Sequence, residues 1–368
     1  MMRNTPPFRA DHVGSLLRPA ALKEARAKRE RDEITEAQLS AVEDEAIVQV
    51  IAKQADIGLL SATDGEFRRA MWHFDFLGRL DGVESFRSEH GIAFKGGIET
   101  HPTGLRVTGK LGYSKHPMVD HFRFLRDHTK ATAKMTIPSP SVLHFRGGRG
   151  AISSAIYPEM DLFYSDLAVA YRNAVCDFAA AGCRYLQLDE VNLAYLCDEE
   201  QRQGLRDRGD DPDRLPAIYR DMINTAIGGR PTDMTITMHL CRGNFRSSWI
   251  AQGGYEPVAE MLFNEINVDG YFMEFDTERA GGFEPLRFVP RNKTVVLGLV
   301  TSKSRALESA DDLVRRIDDA AKYIDLDQLC LSPQCGFAST EEGNMLSEAD
   351  QWAKLSRIVE VARKVWGE

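Results

Sequence analysis

Four residues in the C-terminal half of the chain have side chains of the kinds that bind Zn²⁺: His239, Cys241, Glu274 and Cys335. Protein zinc ligands are imidazole nitrogen, thiolate sulfur and carboxylate oxygen. Each of the four lies at or just past the end of a short apolar segment that predicts a β-strand. Alternate strand positions share a face, so His239 and Cys241 can point to the same metal ion. The pattern therefore predicts one zinc site built from three strand ends.

Taken singly, each of these residues has a simpler explanation. The His239-x-Cys241 pair could mark a half-buried strand end, and Cys335 could be a core cysteine. Glu274 is different because a buried carboxylate without a partner is costly, and either a metal ion or a nearby arginine would satisfy it. Compatible ligands at three strand ends together favour zinc.

The ligand types also indicate which chemistry such a zinc ion would support. Two thiolates and a carboxylate offset the metal charge, which makes the ion a poor Lewis acid toward water. The ion still lowers the pKa of a bound thiol, which is about 8.5 when free. This favours alkylation of a thiol over hydrolysis, because hydrolytic zinc sites more often use histidine-rich ligand sets. A zinc hydrolase remains an alternative in which Glu66 or Glu190 would activate water.

Other polar or small residues stand at the ends of the remaining predicted strands, among them His12, Gly14, Ser15, Glu66, Asp189, Glu190 and Lys303. Asp189 and Glu66 could receive a substrate ammonium group. Asp189 and Glu190 could instead cap the next helix, and Glu66 could pair with a neighbouring arginine. His12 could donate to a substrate carboxylate or only close the end of the fold.

The elements that must position these residues alternate between strand and helix patterns, which predicts a parallel sheet. The predicted strands cover about 9–14, 59–63, 132–137, 184–189, 233–239, 269–275, 293–299 and 327–332. Eight strand–helix units predict a single (β/α)8 TIM barrel, an α/β fold whose strand ends converge on one face. A doubly wound open sheet is the alternative, although no G-x-G-x-x-G follows the first strand.

One region departs from the barrel period. Residues 76–130 contain extended, hairpin-like segments, which predict a β-rich insertion between the second and third strands, lying over the barrel mouth. Residues 138–160 are rich in Ser, Pro and Gly and predict a long loop. No linker divides the chain, so we expect a single domain over residues 1–368.

Composition excludes several function classes. A net charge of −9 argues against a nucleic-acid partner. No apolar run approaches 18 residues, and the N-terminus lacks the apolar region of a secretory signal. Six cysteines in such a chain do not suggest a disulfide framework. We therefore expect a cytoplasmic protein without membrane partners, whose oligomeric state the sequence leaves open.

Six blocks of the sequence resemble the cobalamin-independent methionine synthase family: HVGSLLRP, TDGEFRR, LQLDE, MHLCRGN, YFMEFD and LSPQCGF. The resemblance is to the C-terminal catalytic barrel, covers nearly the whole chain, and is strongest to the short, single-barrel members called methionine synthase II-like. It implies zinc on His239, Cys241, Glu274 and Cys335. It implies homocysteine binding by the Gly14–Ser15 segment, Glu66 and Asp189. The implied reaction moves a methyl group from a methylated folate to the sulfur of homocysteine, forming methionine.

The chain departs from the family pattern in two ways that concern the methyl donor. The full-length enzymes carry an N-terminal barrel that helps to bind the folate polyglutamate tail, and this sequence has none. The family also places a histidine after strand seven as proton donor to the leaving nitrogen, where this chain has Lys303. A lysine with a pKa of about 10.4 is a weak acid at neutral pH. We therefore favour an activated methyl compound over a methylfolate.

Two further functions fit the same fold. An epoxyalkane:coenzyme M transferase-like enzyme would alkylate a sulfonate-bearing thiol that has no ammonium group, for which the carboxylates of Asp189 and Glu66 would be unfavourable. A non-catalytic barrel that binds zinc or a thiol would keep the metal ligands without turnover.

Overall fold

The computed structural model describes residues 3–101 and 103–367. Its strands are Ser61–Ala62 (β1), Asp81–Arg87 (β2), Ala93–Phe94 (β3), Ile98–Glu99 (β4), Thr103–Gly112 (β5), Thr132–Pro138 (β6), Tyr185–Glu190 (β7), Thr235–Leu240 (β8), Gly270–Glu274 (β9), Thr294–Val300 (β10) and Leu329–Pro333 (β11). Seven of them form a curled parallel sheet in the order β1-β6-β7-β8-β9-β10-β11. Each strand of this sheet therefore pairs with the next one along the chain, as strand–helix repeats require.

The helices are Ala20–Glu30 (α1), Glu36–Asp56 (α2), Phe74–Leu77 (α3), Pro117–His128 (α4), Ser141–Gly147 (α5), Met160–Ala180 (α6), Asn192–Tyr195 (α7), Glu199–Asp207 (α8), Leu215–Ile227 (α9), Glu256–Glu265 (α10), Ala310–Ala320 (α11) and Glu348–Trp366 (α12). The capping box predicted at the start of α2 is present, with Gln38 N donating to Thr35 Oγ1 at 3.3 Å and Thr35 N donating to Gln38 Oε1 at 2.8 Å. Within the described part of the chain, no helix combines the length and apolar character needed to cross a membrane.

Seven of the eight predicted strands coincide with strands of the parallel sheet. Every residue of β7, β9 and β10 is buried. A strand covered on both faces reads as a continuous apolar run, which explains why these segments were recognisable in the sequence.

The prediction of a first strand over residues 9–14 is wrong, because only one residue of this segment pairs with the sheet. Ala10 alone forms a parallel bridge, to Leu331 of β11. The next residue, Asp11, turns its carboxylate onto the local backbone and accepts from Phe8 N at 3.1 Å and from His12 N at 2.8 Å. These side-chain bonds replace the regular ladder, which is a known way for Asp to end an extended segment.

The predicted insertion contains two antiparallel pairs, β2 with β5 and β3 with β4. Its tip contacts the loop after β8, where Lys95 N donates to Trp249 O at 2.9 Å. The rest of the segment differs from the prediction, because Pro117–His128 is the helix α4. Pro117 opens this helix, and the side chain of His116 caps it by accepting from Met118 N.

Helices also interrupt two regions that the sequence predicted as loop or left unassigned. Ser141–Gly147 is helical within the predicted loop 138–160, and α7 and α8 follow β7. The Asp198 side chain caps α8 by accepting from Glu200 N at 2.8 Å. These helices are short, so their periodicity gave too weak a signal to recognise.

A buried ion pair joins the N-terminal segment to the inside of the sheet. Lys134 Nζ on β6 donates to His12 O at 2.5 Å and lies 3.4 Å from Asp11 Oδ1, and both side chains are fully buried. Tyr185 Oη and Ser61 Oγ also donate to Asp11, at 2.8 and 3.1 Å. Burial lowers the pKa of Lys134, and the Asp11 carboxylate opposes that shift. The pair thus links the N-terminal segment to β1, β6 and β7.

Replacing Lys134 with Met should lower the free energy of unfolding by about 3–5 kcal/mol, because Asp11 would remain buried without its cation. Denaturant titration followed by circular dichroism measures the change. Lys322→Met is the matched control, because Lys322 pairs with Asp319 at the surface. The denaturant midpoint of this variant should hardly differ from that of the wild type. Wild-type stability in Lys134→Met would contradict the structural role of the buried pair.

Candidate metal centre and substrate cavity

His239, Cys241 and Cys335 come together as a group that could hold a metal ion. One ligand atom from each lies within 4.8 Å of the others, and all three residues are buried. The two sulfur atoms are 3.5 Å apart. His239 lies near the end of β8, Cys241 directly follows that strand, and Cys335 follows β11, so the sheet itself brings the group together. The metal ligands predicted from these two strand ends are therefore adjacent.

The contacts of His239 leave one of its ring nitrogens available to a metal ion. His239 Nδ1 lies 3.3 Å from Phe272 O, so it can donate there and leave Nε2 as an acceptor. That Nε2 atom is buried, with no hydrogen-bond partner among the described residues. The neighbouring Cys335 thiol and burial raise the pKa of Cys241 well above its usual value. Two thiolates so close together need a cation, and the donor set fits zinc.

Glu274 ends β9 but is not in the group that could hold a metal ion. Its Oε2 forms an ion pair with Arg279 Nη2 at 2.8 Å, and its Oε1 accepts from the backbone N of Arg242 at 2.9 Å. Burial acts to raise the pKa of Glu274, but the cations of Lys303, Arg279 and Arg242 outweigh it and lower the pKa to about 2. The carboxylate is therefore charged, and an arginine satisfies it in this structure.

A cavity opens directly onto this group. Its lining includes three of the predicted substrate-binding residues together with the three clustered metal ligands: Ser15, Glu66, Asp189, His239, Cys241 and Cys335. The cavity therefore faces both the candidate metal-binding group and two acidic side chains.

Glu66 and Asp189 bring two carboxyl groups to this cavity, which Arg146 also lines. Glu66 Oε1 accepts from Thr136 Oγ1 at 2.8 Å and lies 3.5 Å from Arg69 Nη1, while its Oε2 is buried without a hydrogen-bond partner in the described structure. Burial and the Glu66 charge raise the pKa of Asp189 to about 7. A cationic group bound between these carboxylates would relieve both effects.

Two of the predicted substrate-binding residues, His12 and Gly14, are not among the residues that line the cavity. His12 is buried in the N-terminal segment, and burial lowers its pKa to about 4, so its ring is neutral. Gly14 has a φ of +145°, and a Cβ there would lie 2.7 Å from Thr136 Cγ2. Gly14 therefore allows the N-terminal segment to pack against the residue that holds Glu66.

The two predicted catalytic residues also lie outside this lining. Glu190 is fully buried, accepts from Ser141 Oγ at 2.5 Å, and accepts from Asn192 N and Leu193 N at 2.7 and 3.0 Å. These bonds are the helix-capping alternative that the sequence left open. Lys303 follows β10 with a buried Nζ that has no hydrogen-bond partner among the residues described. Its positive charge is one of those that lower the pKa of Glu274.

A second cavity adjoins the first, and His73, Ile92 and Arg146 line both. Its other walls are mostly apolar and include Phe74, Leu77, Phe86, Leu105, Val142 and Leu143. Both ring nitrogens of His73 and the Nε of Arg146 are buried and lack hydrogen-bond partners within residues 3–101 and 103–367. The antiparallel pair β2–β5 thus contributes to the walls of a cavity that adjoins the one lined by the candidate metal-binding group.

Sequence reasoning missed Arg146 and Arg279. Arg146 lies on the short helix α5, in a segment predicted to be loop. Arg279 follows β9 by five positions, in the sequence Glu274-Phe-Asp276-Thr-Glu-Arg279. That cluster of charges directly after a buried strand was the available signal, because charges next to an apolar strand end need partners nearby.

A family profile and several known proteins match this chain over nearly its whole length. The family profile described as "Cobalamin-independent synthase, Catalytic domain" matches residues 8–364. The chain is 50% identical over 362 residues to YxjH of Bacillus subtilis (strain 168), an uncharacterized protein, covering 98% of this chain and 95% of that one. It is 23% identical over 371 residues to a methionine synthase of Saccharolobus solfataricus, covering 99% and 96% of the two chains.

The crystal structure of a candidate vitamin-B12-independent methionine synthase from Listeria monocytogenes matches this fold with a TM-score of 0.79. The two chains share 41% identity, and the match covers 100% of each. Together, the profile match across nearly all residues and these relatives show that the chain belongs to the cobalamin-independent methionine synthase family.

Proposed function

We propose that this protein is a zinc-dependent methyltransferase that methylates the sulfur of homocysteine and forms methionine. One observation carries the proposal: a buried His–Cys–Cys group and two buried carboxylates face the same cavity. The first would hold a metal, and the second would recognise the ammonium group of an amino-acid thiol. Family membership supports the reaction type, since relatives such as the Saccharolobus solfataricus chain are named methionine synthases.

We propose that the parallel sheet closes as a (β/α)8 barrel with the N-terminal segment in the eighth strand position. Ala10 pairs with Leu331 of β11 at one edge of the sheet. Ser61 Oγ of β1, at the other edge, donates to Asp11 Oδ1 at 3.1 Å. One segment therefore contacts both edges. The antiparallel segments between β1 and β6 would cover the mouth, which the Lys95–Trp249 contact supports.

The zinc ion would be held by His239, Cys241 and Cys335, with Glu274 as the fourth ligand. When bound, zinc lowers the pKa of a substrate thiol and so keeps it nucleophilic at neutral pH. The protein's own residues orient the ligands for this. Phe272 O fixes the tautomer of His239, and Gly243 N donates to Cys241 Sγ at 3.2 Å, which stabilises a thiolate.

Asp189 and Glu66 would bind the ammonium group of homocysteine. Both are buried, and Asp189 is oriented by Gln187 Nε2, which donates to its Oδ1 at 2.7 Å. Charged hydrogen bonds in a buried site are strong enough to position a small substrate. A thiol that carries a sulfonate and no ammonium would be repelled here, which disfavours coenzyme M as the acceptor.

The methyl donor would approach through the second cavity, whose apolar walls and buried polar atoms suit an extended molecule with polar groups. Lys303 is not among the lining residues of either cavity. It is therefore not placed to protonate the leaving nitrogen of a methylfolate. We therefore propose a donor whose leaving group needs no proton, such as a methylated corrinoid. Glu190, bonded as a helix cap, would act in catalysis only by supporting the strand that carries Asp189.

Purified protein should contain about one zinc ion per chain. Cys241→Ser and Cys335→Ser should each lose most of it, because each removes a thiolate ligand, and elemental analysis measures the content. Cys176→Ser is the control, since Cys176 is exposed on α6 and is not part of the candidate metal-binding group. Full zinc retention in both ligand variants would reject the site.

Asp189→Asn should weaken homocysteine binding by about 1.5–3 kcal/mol, the value of a hydrogen bond to a charged group. Zinc content should not change, because Asp189 is not in the metal group. Titration calorimetry measures the affinity, with Asp207→Asn, an exposed position on α8, as the control. Equal affinity in wild type and Asp189→Asn would remove this residue from substrate binding.

Methionine formation should be faster with methylcobalamin than with monoglutamyl 5-methyltetrahydrofolate as donor, because only the second needs protonation of its leaving nitrogen. Initial rates with zinc-loaded protein, corrected for the uncatalysed reaction, give the comparison. Rapid turnover of the methylfolate that disappears in Lys303→Met would show instead that Lys303 supplies the proton.

A further inference from the structure

Four ionisable side chains surround the end of β9 and form what we term the strand-end cluster: Glu274, Asp276, Arg279 and Lys303. The side chains of Glu274, Asp276 and Arg279 are only 0%, 2% and 9% exposed, respectively. The cluster contains two carboxylates and two cations, so its formal charges cancel. In a buried cluster of this kind, the pairing of cations with carboxylates decides which carboxylate is free to bind another ligand.

The partners are shared unequally. Arg279 Nη2 lies 2.8 Å from Glu274 Oε2 and 3.8 Å from Asp276 Oδ1. Asp276 Oδ1 is buried and finds no hydrogen-bond partner in the described part of the chain. One guanidinium nitrogen thus lies between two carboxylates, binds one of them, and leaves an oxygen of the other unsatisfied.

This arrangement conflicts with metal binding by Glu274. An oxygen that accepts a charged hydrogen bond from Arg279 is a poorer metal ligand, and a guanidinium beside a divalent cation is repelled. Releasing Arg279 without another partner would leave a buried cation unpaired, which costs several kcal/mol. A second acceptor close to Arg279 removes that obstacle.

Asp276 is in the right place to be that acceptor. A shift of the Arg279 nitrogen by about 1 Å toward Asp276 would give a charged hydrogen bond of ordinary length. The rest of the guanidinium is anchored, because Nη1 donates to Ala251 O at 3.1 Å and the group lies 5.1 Å from the Trp249 ring centroid. The movement therefore needs no change in the backbone.

We propose that Arg279 passes from Glu274 to Asp276 when the metal ion binds, so that Asp276 is a positioning residue that frees Glu274 to become the fourth ligand. The inference rests on the proposed function only for the location of the metal. It assigns to Asp276 no contact with the metal or with substrate.

Zinc affinity of the full chain, measured by competition with a chromophoric chelator, tests the proposal. Asp276→Asn should weaken zinc binding about tenfold to a hundredfold, the usual effect of losing a residue that orients a ligand. Arg279→Met should bind zinc at least as tightly as wild type, because nothing competes for Glu274. In the Asp276→Asn/Arg279→Met double variant, the loss caused by Asp276→Asn should disappear.

Co²⁺ substitution gives a second readout of the ligand set. The visible absorption spectrum of Co²⁺-loaded Asp276→Asn should resemble that of Glu274→Gln, while Arg279→Met and the double variant should resemble wild type. If Asp276→Asn does not fold, the Arg279→Met affinity still decides, because weaker zinc binding in that variant would overturn the proposal.

Each further outcome has a definite meaning. Wild-type zinc affinity in Asp276→Asn overturns the exchange but leaves the proposed function intact. A loss in Asp276→Asn that persists in the Arg279→Met background also overturns it, because Asp276 would then act on the metal by another route. Absence of zinc binding in the wild-type chain would reject the metal site itself, and with it both proposals.

Discussion

A charged side chain buried near the end of a strand must have a partner, and this requirement determines how the polar side chains at the strand ends are arranged. Glu274 is paired with Arg279, and Asp11 with Lys134 and Tyr185, so these carboxylates are satisfied within the protein. Other carboxylates are paired incompletely, since Glu66 Oε2 and Asp276 Oδ1 are buried without a hydrogen-bond partner among the described residues. The sulfur atoms of Cys241 and Cys335 lie 3.5 Å apart, and burial and the Glu66 charge raise the pKa of Asp189 to about 7. Incomplete pairing is therefore more informative here than the number of polar residues.

The sheet could be predicted because its strands are buried on both faces and read as apolar, β-branched runs. Residues at the ends of such runs could be assigned to one face of the sheet, which is why His239, Cys241 and Cys335 were found together. The N-terminal strand could not be predicted correctly, because the Asp11 side chain competes for backbone groups in a way that hydrophobic pattern does not reveal. Helix α4 was missed because the hairpin-like segments before it suggested extended structure throughout residues 76–130.

The fate of Glu274 shows a second limit of sequence reasoning. The sequence left two partners open for this carboxylate, a metal ion and an arginine. Arg279 lies five positions further on, in the 3-10 turn Glu278–Ala280, and no spacing rule shows that this turn places its guanidinium 2.8 Å from Glu274. In the same way, Arg146 became recognisable only once α5 and the β2–β5 pair had formed the walls of the second cavity. Residues on loops and short helices depend on tertiary packing for their position.

The strand order has a consequence for how the protein must be made. Ala10 pairs with Leu331 of β11, and Cys335 follows β11, so the sheet joins segments that are far apart in sequence. Contacts between residues so distant in sequence form late in folding, because loop closure precedes any gain from pairing. A nascent chain still emerging from the ribosome has His239 and Cys241 before it has Cys335. A metal ion held by all three side chains could therefore be fully coordinated only after Cys335 has been synthesised and β11 has joined the sheet.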